Sequence, residues 1–177
     1  MSDTKVVKKL FFAWQEDKEL NWLSNMAKMG WELKHAAFCE YYFQKSQEKD
    51  IVFAFDYRAM NKSEFEIYIS HFESFGWQYI SSVANWHYFK AYRKDVVFPD
   101  IYSENTSKIE KYKRLMLTLI ITLLPSLWAI ILNLINYQNE KMPVFIFFVV
   151  FILSMDCFLF YGIYRIYRII RRLVRGS

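Results

Sequence analysis

Asp156 carries the sharpest chemical constraint in the sequence, because it is a carboxylate inside the apolar run PVFIFFVVFILSMDCFLFYGIY, Pro143 to Tyr164. A charge in such a setting costs several kcal/mol in a bilayer unless it is sheltered or protonated. A second apolar run, Leu115 to Tyr137, places Thr122, Pro125 and Ser126 at the same depth if the two runs are antiparallel. Pro125 has no N–H for the Ile121 carbonyl, so a neutral Asp156 is expected to meet that acceptor and the hydroxyls of Thr122 and Ser126. The alternatives are a contact with a polar or basic group of another membrane protein, and a proton-responsive switch.

The other reactive side chains form no familiar constellation. His35, His71 and His87 lack any metal-ligand spacing, and Cys39 and Cys157 fall on opposite sides of the soluble-to-apolar boundary, so both read as packing residues. Four glycines supply no phosphate-binding loop. Glu16, Asp17 and Glu19 cluster where a helix is expected to begin, and acidic groups favour the positive end of a helix dipole. No catalytic residue, metal or cofactor is therefore expected, and an enzyme is not expected.

Aromatic residues make up 20% of the chain, and Trp14, Trp31, Tyr41, Phe43, Trp77, Trp86, Tyr88 and Phe89 exceed what one small core buries easily. Strand alternation divides such side chains between two sheet faces, of which two helices on one side can cover only one. Beside a thick aromatic core, this leaves a candidate binding face containing Trp31, Trp77, Trp86 and Tyr88, suited to a peptide, a hydrophobic or aromatic small molecule, or a partner domain.

The elements that must position these side chains repeat. MGWELKHAAFCEYYF (Met29 to Phe43) aligns with FGWQYISSVANWHYF (Phe75 to Phe89) at an offset of 46, matching Gly30 to Gly76, Trp31 to Trp77, Tyr42 to Tyr88 and Phe43 to Phe89. Helical patterns precede each glycine, through Leu20, Leu23, Met26 and Ala27 and through Phe65, Tyr68, Ile69, Phe72 and Phe75. Before each helix an apolar strand is expected, Leu10 to Trp14 and Ile51 to Tyr57; after each glycine come two more, Trp31 to Ala36 with Glu40 to Gln44, and Trp77 to Ser82 with Trp86 to Tyr92. Asp17 and either Asn61 or Ser63 are the expected N-caps, with left-handed Gly30 and Gly76 closing the helices. The pattern predicts a pseudo-twofold, ferredoxin-like α+β domain: a tandem βαββ repeat, copies at 8–46 and 50–94, with about six strands and both helices on one face. Whether the strands form one sheet or two half-sheets is open at this level.

Charge separates this domain from the C-terminal part of the chain. Residues 1–114 hold 17 of the 23 Lys and Arg and 16 of the 18 Asp and Glu, a balance of +1; the remaining 6 and 2 give +4. The basicity lies beside apolar runs of about 20 residues, the length that crosses a bilayer, so nucleic-acid binding is not expected. The expected organisation is a domain at 1–107, a basic linker at 108–114, transmembrane helices at 115–137 and 143–164, and a basic tail at 165–177. Lys108, Lys111, Lys113 and Arg114 precede the first span and Arg165, Arg168, Arg171, Arg172 and Arg175 follow the second, whereas Gln138 to Met142 holds only Lys141 offset by Glu140. Both termini of this multi-pass protein are thus expected on the cytoplasmic side. Arg165, Arg168, Arg171 and Arg172 are candidate contacts for lipid head groups.

FFAWQEDKELNWLSNMAKMGWEL, the returning FESFGWQYISS with NWHYFKA, and the exit IYSENTSKIEKYKRL together resemble the proteins grouped as domain of unknown function family 2812, over residues 8 to 114. The resemblance implies small membrane-anchored bacterial proteins, often encoded beside transcription regulators, and brings no functional residue with it. Two function classes follow as expectations. One is a regulatory, signalling adaptor at the bacterial cell membrane, in which the domain binds a regulator, a membrane protein or a small hydrophobic ligand. The other is a homo-oligomeric accessory component of a membrane transport system.

Overall fold

The computed structural model describes residues 3–96, 100–102, 105–135 and 142–176, which fall into two compact units, Met1–Lys111 and Tyr112–Ser177. The first unit runs β1 (Thr4–Lys8), α1 (Glu16–Lys28), β2 (Trp31–Ala37), β3 (Glu40–Lys45), β4 (Ile51–Tyr57), α2 (Lys62–Glu73), β5 (Gln78–Val83) and β6 (Trp86–Tyr92). It is an α+β domain in which βαββ occurs twice. The strands pair antiparallel as two three-stranded sheets, ordered β1-β3-β2 and β4-β6-β5.

Of the two arrangements open to the repeat, the strands take the half-sheets, and a single ferredoxin-like sheet does not form. Both β2 and β5 carry a register shift, between Leu33 and His35 and between Tyr79 and Ser81, positions that correspond under the 46-residue offset. Such bulges twist an edge strand away from continued pairing. Strands β2 and β5 consequently meet through a side chain, the Ala36 amide donating to Ser81 Oγ at 2.9 Å.

The helices occupy opposite faces, not one. Strand β4 is buried along its whole length: Ile51, Phe53 and Phe55 join Leu23, Met26 and Ala27 of α1 and Leu33, Tyr41 and Phe43 of the first sheet in one core. Val52 and Ala54 point the other way, with Trp77, Phe89 and Ala91, onto Tyr68 and Phe72 of α2. Alternation along one strand thus feeds two cores, which is how so aromatic a domain hides its rings. Each fully buried Leu or Phe contributes about 1.5–3 kcal/mol of transfer free energy.

Local signals explain most boundaries. Asn61 caps α2 with Glu64 in a reciprocal box, Oδ1 accepting from the Glu64 amide at 2.9 Å. Gly30 and Gly76 take φ of 78° and 85°, and a Cβ on Gly30 would lie 2.8 Å from the Ser46 carbonyl oxygen. Asp17 is not a cap: α1 starts a residue earlier, after a 3-10 turn at Ala13–Gln15, and Gln15 holds the cap position. Nor is Leu10 to Trp14 a strand. The first strand lies upstream, because the Phe11 ring turns onto Trp22 and Tyr41 while the Lys9 amide donates to the Cys39 carbonyl.

Two further helices, α3 (Asn105–Ile135) and α4 (Met142–Arg175), are long and apolar enough to cross a membrane. Helix α3 absorbs the expected linker at 108–114 and α4 carries the expected tail through Arg175, so the basic flanks are helical extensions of the apolar segments. The expected outer connection, Gln138 to Met142, lies outside the described residues except for Met142.

Glu32 joins the two sheets. It is buried on β2 and accepts from Lys90 of β6 at 2.6 Å, Lys34 at 2.8 Å and Lys49 at 3.0 Å. Burial opposes its charge, but the three ammonium groups hold the carboxyl well below its ordinary pKa of 4.5. The stability it supplies is therefore full above that pKa and is lost as pH falls below it. Urea unfolding should show Glu32→Gln destabilised by about 1–3 kcal/mol at neutral pH, with the gap from wild type closing in acid.

Candidate functional site

The segment Leu10 to Ala13 forms one wall of a cavity of about 210 Å³. The start of α1 supplies Glu16 and Glu19. The first hairpin turn supplies Phe38 and Cys39 beside Tyr41, and the second supplies Val83 and Ala84 beside Trp86 and Tyr88, with Phe55 of β4 between them. Both copies of the repeat thus build one site. Cys39 and Ala84 hold left-handed backbone, φ 60° and 51°, a conformation costing a non-glycine residue roughly 1–2 kcal/mol. Strain of this kind collects at ligand sites.

Glu16 and Glu19 are neighbours on one helix face, but their surroundings differ. Lys111 of α3 is fully buried and donates to both Glu16 oxygens, at 2.7 and 2.9 Å, and to the Phe55 carbonyl at 3.0 Å, one acceptor for each ammonium hydrogen. Glu19 accepts at Oε1 from Tyr41 (2.6 Å) and Tyr88 (2.9 Å). Among the described residues its Oε2 has no partner. Burial raises the Glu19 pKa above 4.5 against the two phenol bonds, and nearby Glu16 adds to the rise. Burial and the Glu19 charge push both phenols far above their ordinary 10.

The sequence-predicted residues distribute differently. Trp31, Trp77, Trp86 and Tyr88 do not share a face: Trp77 is in the α2 core, Tyr88 in the α1 core, and Trp31 packs at the edge of the latter with Lys5 5.3 Å above its ring. Trp86 and Tyr88 alone reach the cavity. The Glu16–Glu19 pair, which position alone marks as helix-dipole complement, is the polar part of the site. Lys111, which position alone marks as a topology charge, is its support. Their long-range pairing, across 95 residues for Glu16 and Lys111, leaves no local sequence signal.

Ser82 and His87 do meet, with Oγ 2.6 Å from Nδ1, Tyr79 2.8 Å from Ser82, and His87 Nε2 donating to the Arg58 carbonyl at 2.8 Å. This resembles a nucleophile–base pair, but its members bond end to end and none lines the cavity. His35 and His71 are exposed, and among the described residues no group of three or more His, Cys, Asp and Glu is placed to hold a metal ion.

In the second unit Asp156 is buried against Ser126, whose Oγ lies 2.8 Å from Oδ1. The Ser126 hydroxyl also stands 2.8 Å from the Leu123 carbonyl. The single Ser126 hydroxyl hydrogen is thus shared between the Asp156 carboxyl and the Leu123 carbonyl. Thr122 turns back onto the Leu119 carbonyl at 2.7 Å and does not join. On α4, Arg165 donates to the Tyr161 hydroxyl at 2.9 Å and Arg168 lies 5.9 Å from the Tyr164 ring. With Arg171 and Arg172 they span an arc of about 120° at 100° per residue.

A doubled βαββ domain followed by two long apolar helices is the class of protein that these elements define. The family model described as Protein of unknown function (DUF2812) matches residues 15–124, from the turn before α1 into α3, and the chain belongs to that family. No curated protein and no solved structure matches it.

Removing Lys111 strands a buried carboxylate, which typically costs about 3–5 kcal/mol. Thermal unfolding of the full chain in detergent should show Lys111→Met strongly destabilised and the Lys111→Met, Glu16→Gln pair less so. Equal losses in the two variants would sink the ion-pair account.

Proposed function

We propose that this protein is a membrane-anchored binding module whose α+β domain holds a small apolar or aromatic ligand and acts as a regulatory adaptor. The observation that carries the reading is the cavity at the joint of the two repeats, walled by Phe11, Phe12, Phe55, Trp86 and Tyr88 around a buried carboxyl. At about 210 Å³ it exceeds the roughly 150 Å³ in which an engineered apolar cavity binds benzene. Lys111 supports its floor from α3, four residues before the apolar run begins at Leu115. A ligand that shifts Glu16 therefore acts on the helix that continues as the anchor. The adaptor role needs such a mechanical link, since a regulator must sense occupancy.

The two apolar helices support membrane anchoring. The basic flanks support a hairpin with both termini on the cytoplasmic side, and the Arg165 to Arg172 arc supports contact with anionic lipid. Ser126 shelters Asp156 within one chain, which favours an anchor over a transport bundle that requires further copies.

Cys39 lines the cavity and Cys157 is the other cysteine, so alkylation reads occupancy directly. In full-length Cys157→Ser protein in detergent, small aromatic compounds should slow Cys39 alkylation. Ala37→Phe, which fills the cavity, should slow it without them and abolish their effect. If no compound in a panel of cationic, neutral and anionic benzyl derivatives alters the Cys39 rate, the ligand reading fails.

A further inference from the structure

The donors around the cavity floor are already committed. Both phenol hydrogens go to Glu19 Oε1, and the Lys111 ammonium goes to Glu16 and the Phe55 carbonyl. What Glu19 keeps for a ligand is Oε2, on a side chain more than nine-tenths buried. The rings of Phe11, Tyr41, Phe55 and Tyr88 line the same cavity as Glu19, with Phe55 and Tyr88 centred 4.4 Å apart and Phe11 and Tyr41 6.3 Å apart. Ring faces carry negative potential, and an aromatic cage closed by a carboxylate is the arrangement that desolvates and holds an organic cation. The protein already uses this chemistry at the cavity's mouth: the exposed Lys9 ammonium rests 5.0 Å from the Phe11 ring and 4.6 Å from Trp22.

Resting on the cavity as the ligand site, we infer that its ligand is a small organic ammonium ion, an amine whose cationic head is held between Glu19 Oε2 and the surrounding rings. An anion would face two carboxyl groups with the nearby phenol and Lys111 hydrogens spent, and only the exposed Lys9 at the mouth would offset them. A neutral hydrocarbon would leave Oε2 without a partner. The ammonium satisfies both conditions, and it replaces a proton on Glu19 where burial has made the bare carboxylate costly.

That exchange fixes a pH dependence. The groups facing Glu19 are Glu16 on its own helix, Tyr41 of β3 and Tyr88 of β6, with Lys111 of α3 behind Glu16 and Lys9 at the mouth. The phenols are pushed upward, away from neutrality, and Glu16 is tied to Lys111. Burial raises the Glu19 pKa above its ordinary 4.5, so acid removes the Glu19 charge sooner than that of a free carboxylate. Cation affinity rises with pH as Glu19 ionises, while affinity for a neutral isostere stays flat.

The test is calorimetric titration of full-length protein in detergent with benzylamine, benzyl alcohol and benzoate, with Ala37→Phe protein as the reference for partition into micelles. Benzylamine should bind about tenfold or more tighter than benzyl alcohol at neutral pH, the scale of a desolvated cation–π contact. That margin should shrink in mild acid, and benzoate should not bind. Glu19→Gln should erase the margin, and the wild-type pH series tests the same point without a variant. Benzyl alcohol binding as tightly as benzylamine, or a margin indifferent to pH, overturns the cation inference while the cavity reading stands. If none of the three binds the wild type above the reference and none protects Cys39, the cavity reading falls and the inference with it.

Discussion

A lysine with none of its side chain exposed must be given three acceptors and a counter-charge, and the Glu16–Lys111 contact meets that demand across 95 residues of sequence. Much of the first unit is arranged around it. Glu16 can reach Lys111 only if α1 begins where it does, just after the 3-10 turn at Ala13–Gln15. The third acceptor is the Phe55 carbonyl, so β4 is bound to the same ammonium. One charge therefore ties α1, the central strand of both cores and the first turns of α3 together. Lys108, paired with Asp100 at 2.8 Å, holds the neighbouring turn, and although burial opposes it, Asp100 keeps its pKa above the ordinary 10.5.

This contact also explains why a cavity persists beside a dense aromatic core. The Glu16 carboxylate is drawn to Lys111 and cannot fold inward, and Glu19 is held by two phenols. Two hairpin turns at Phe38–Cys39 and Ala84–Asn85 approach from the other side with left-handed residues that tolerate little further movement. Closing the space would break a buried ion pair or strain the turns further, and either costs more than burying a little extra apolar surface returns. Packing here is limited by electrostatics and backbone geometry, not by a shortage of apolar side chains.

What the sequence reveals depends on the range of each interaction. Gly30 and Gly76, the Asn61 cap, strand β4 and both apolar runs are local patterns, and they are readable. The paired bulges at Leu33–His35 and Tyr79–Ser81 have no residue signature, so the division into two sheets is not. Leu10 to Trp14 looks like a strand because LFFAW is apolar and β-prone; its rings are instead claimed by Trp22, Tyr41 and the cavity. Glu16, Glu19 and Lys111 each have an adequate local explanation, dipole complement or membrane flank, and only three-dimensional proximity shows that local reasons are the wrong ones. Trp31, Trp77, Trp86 and Tyr88 fail as a set for the converse reason: equivalent positions in a repeat need not share a face once the two helices lie on opposite sides.

Repetition normally builds two similar sites, yet here it builds one. The copies diverge where the site lies: α1 contributes acidic groups and faces both sheets, whereas α2 carries no buried residue and covers the back of the second sheet. The turns diverge as well, since the left-handed residue is second in Phe38–Cys39 and first in Ala84–Asn85. Two half-sheets meeting at β2 and β5 turn their hairpins toward one α1, and the second helix is left to stabilise the sheet from behind. The duplicated unit thus supplies walls, and the part that is not duplicated, α3, supplies Lys111. A cavity whose lining Glu16 is held by the helix that runs on into an apolar segment differs from one built wholly within a repeat, because that helix fixes part of its wall.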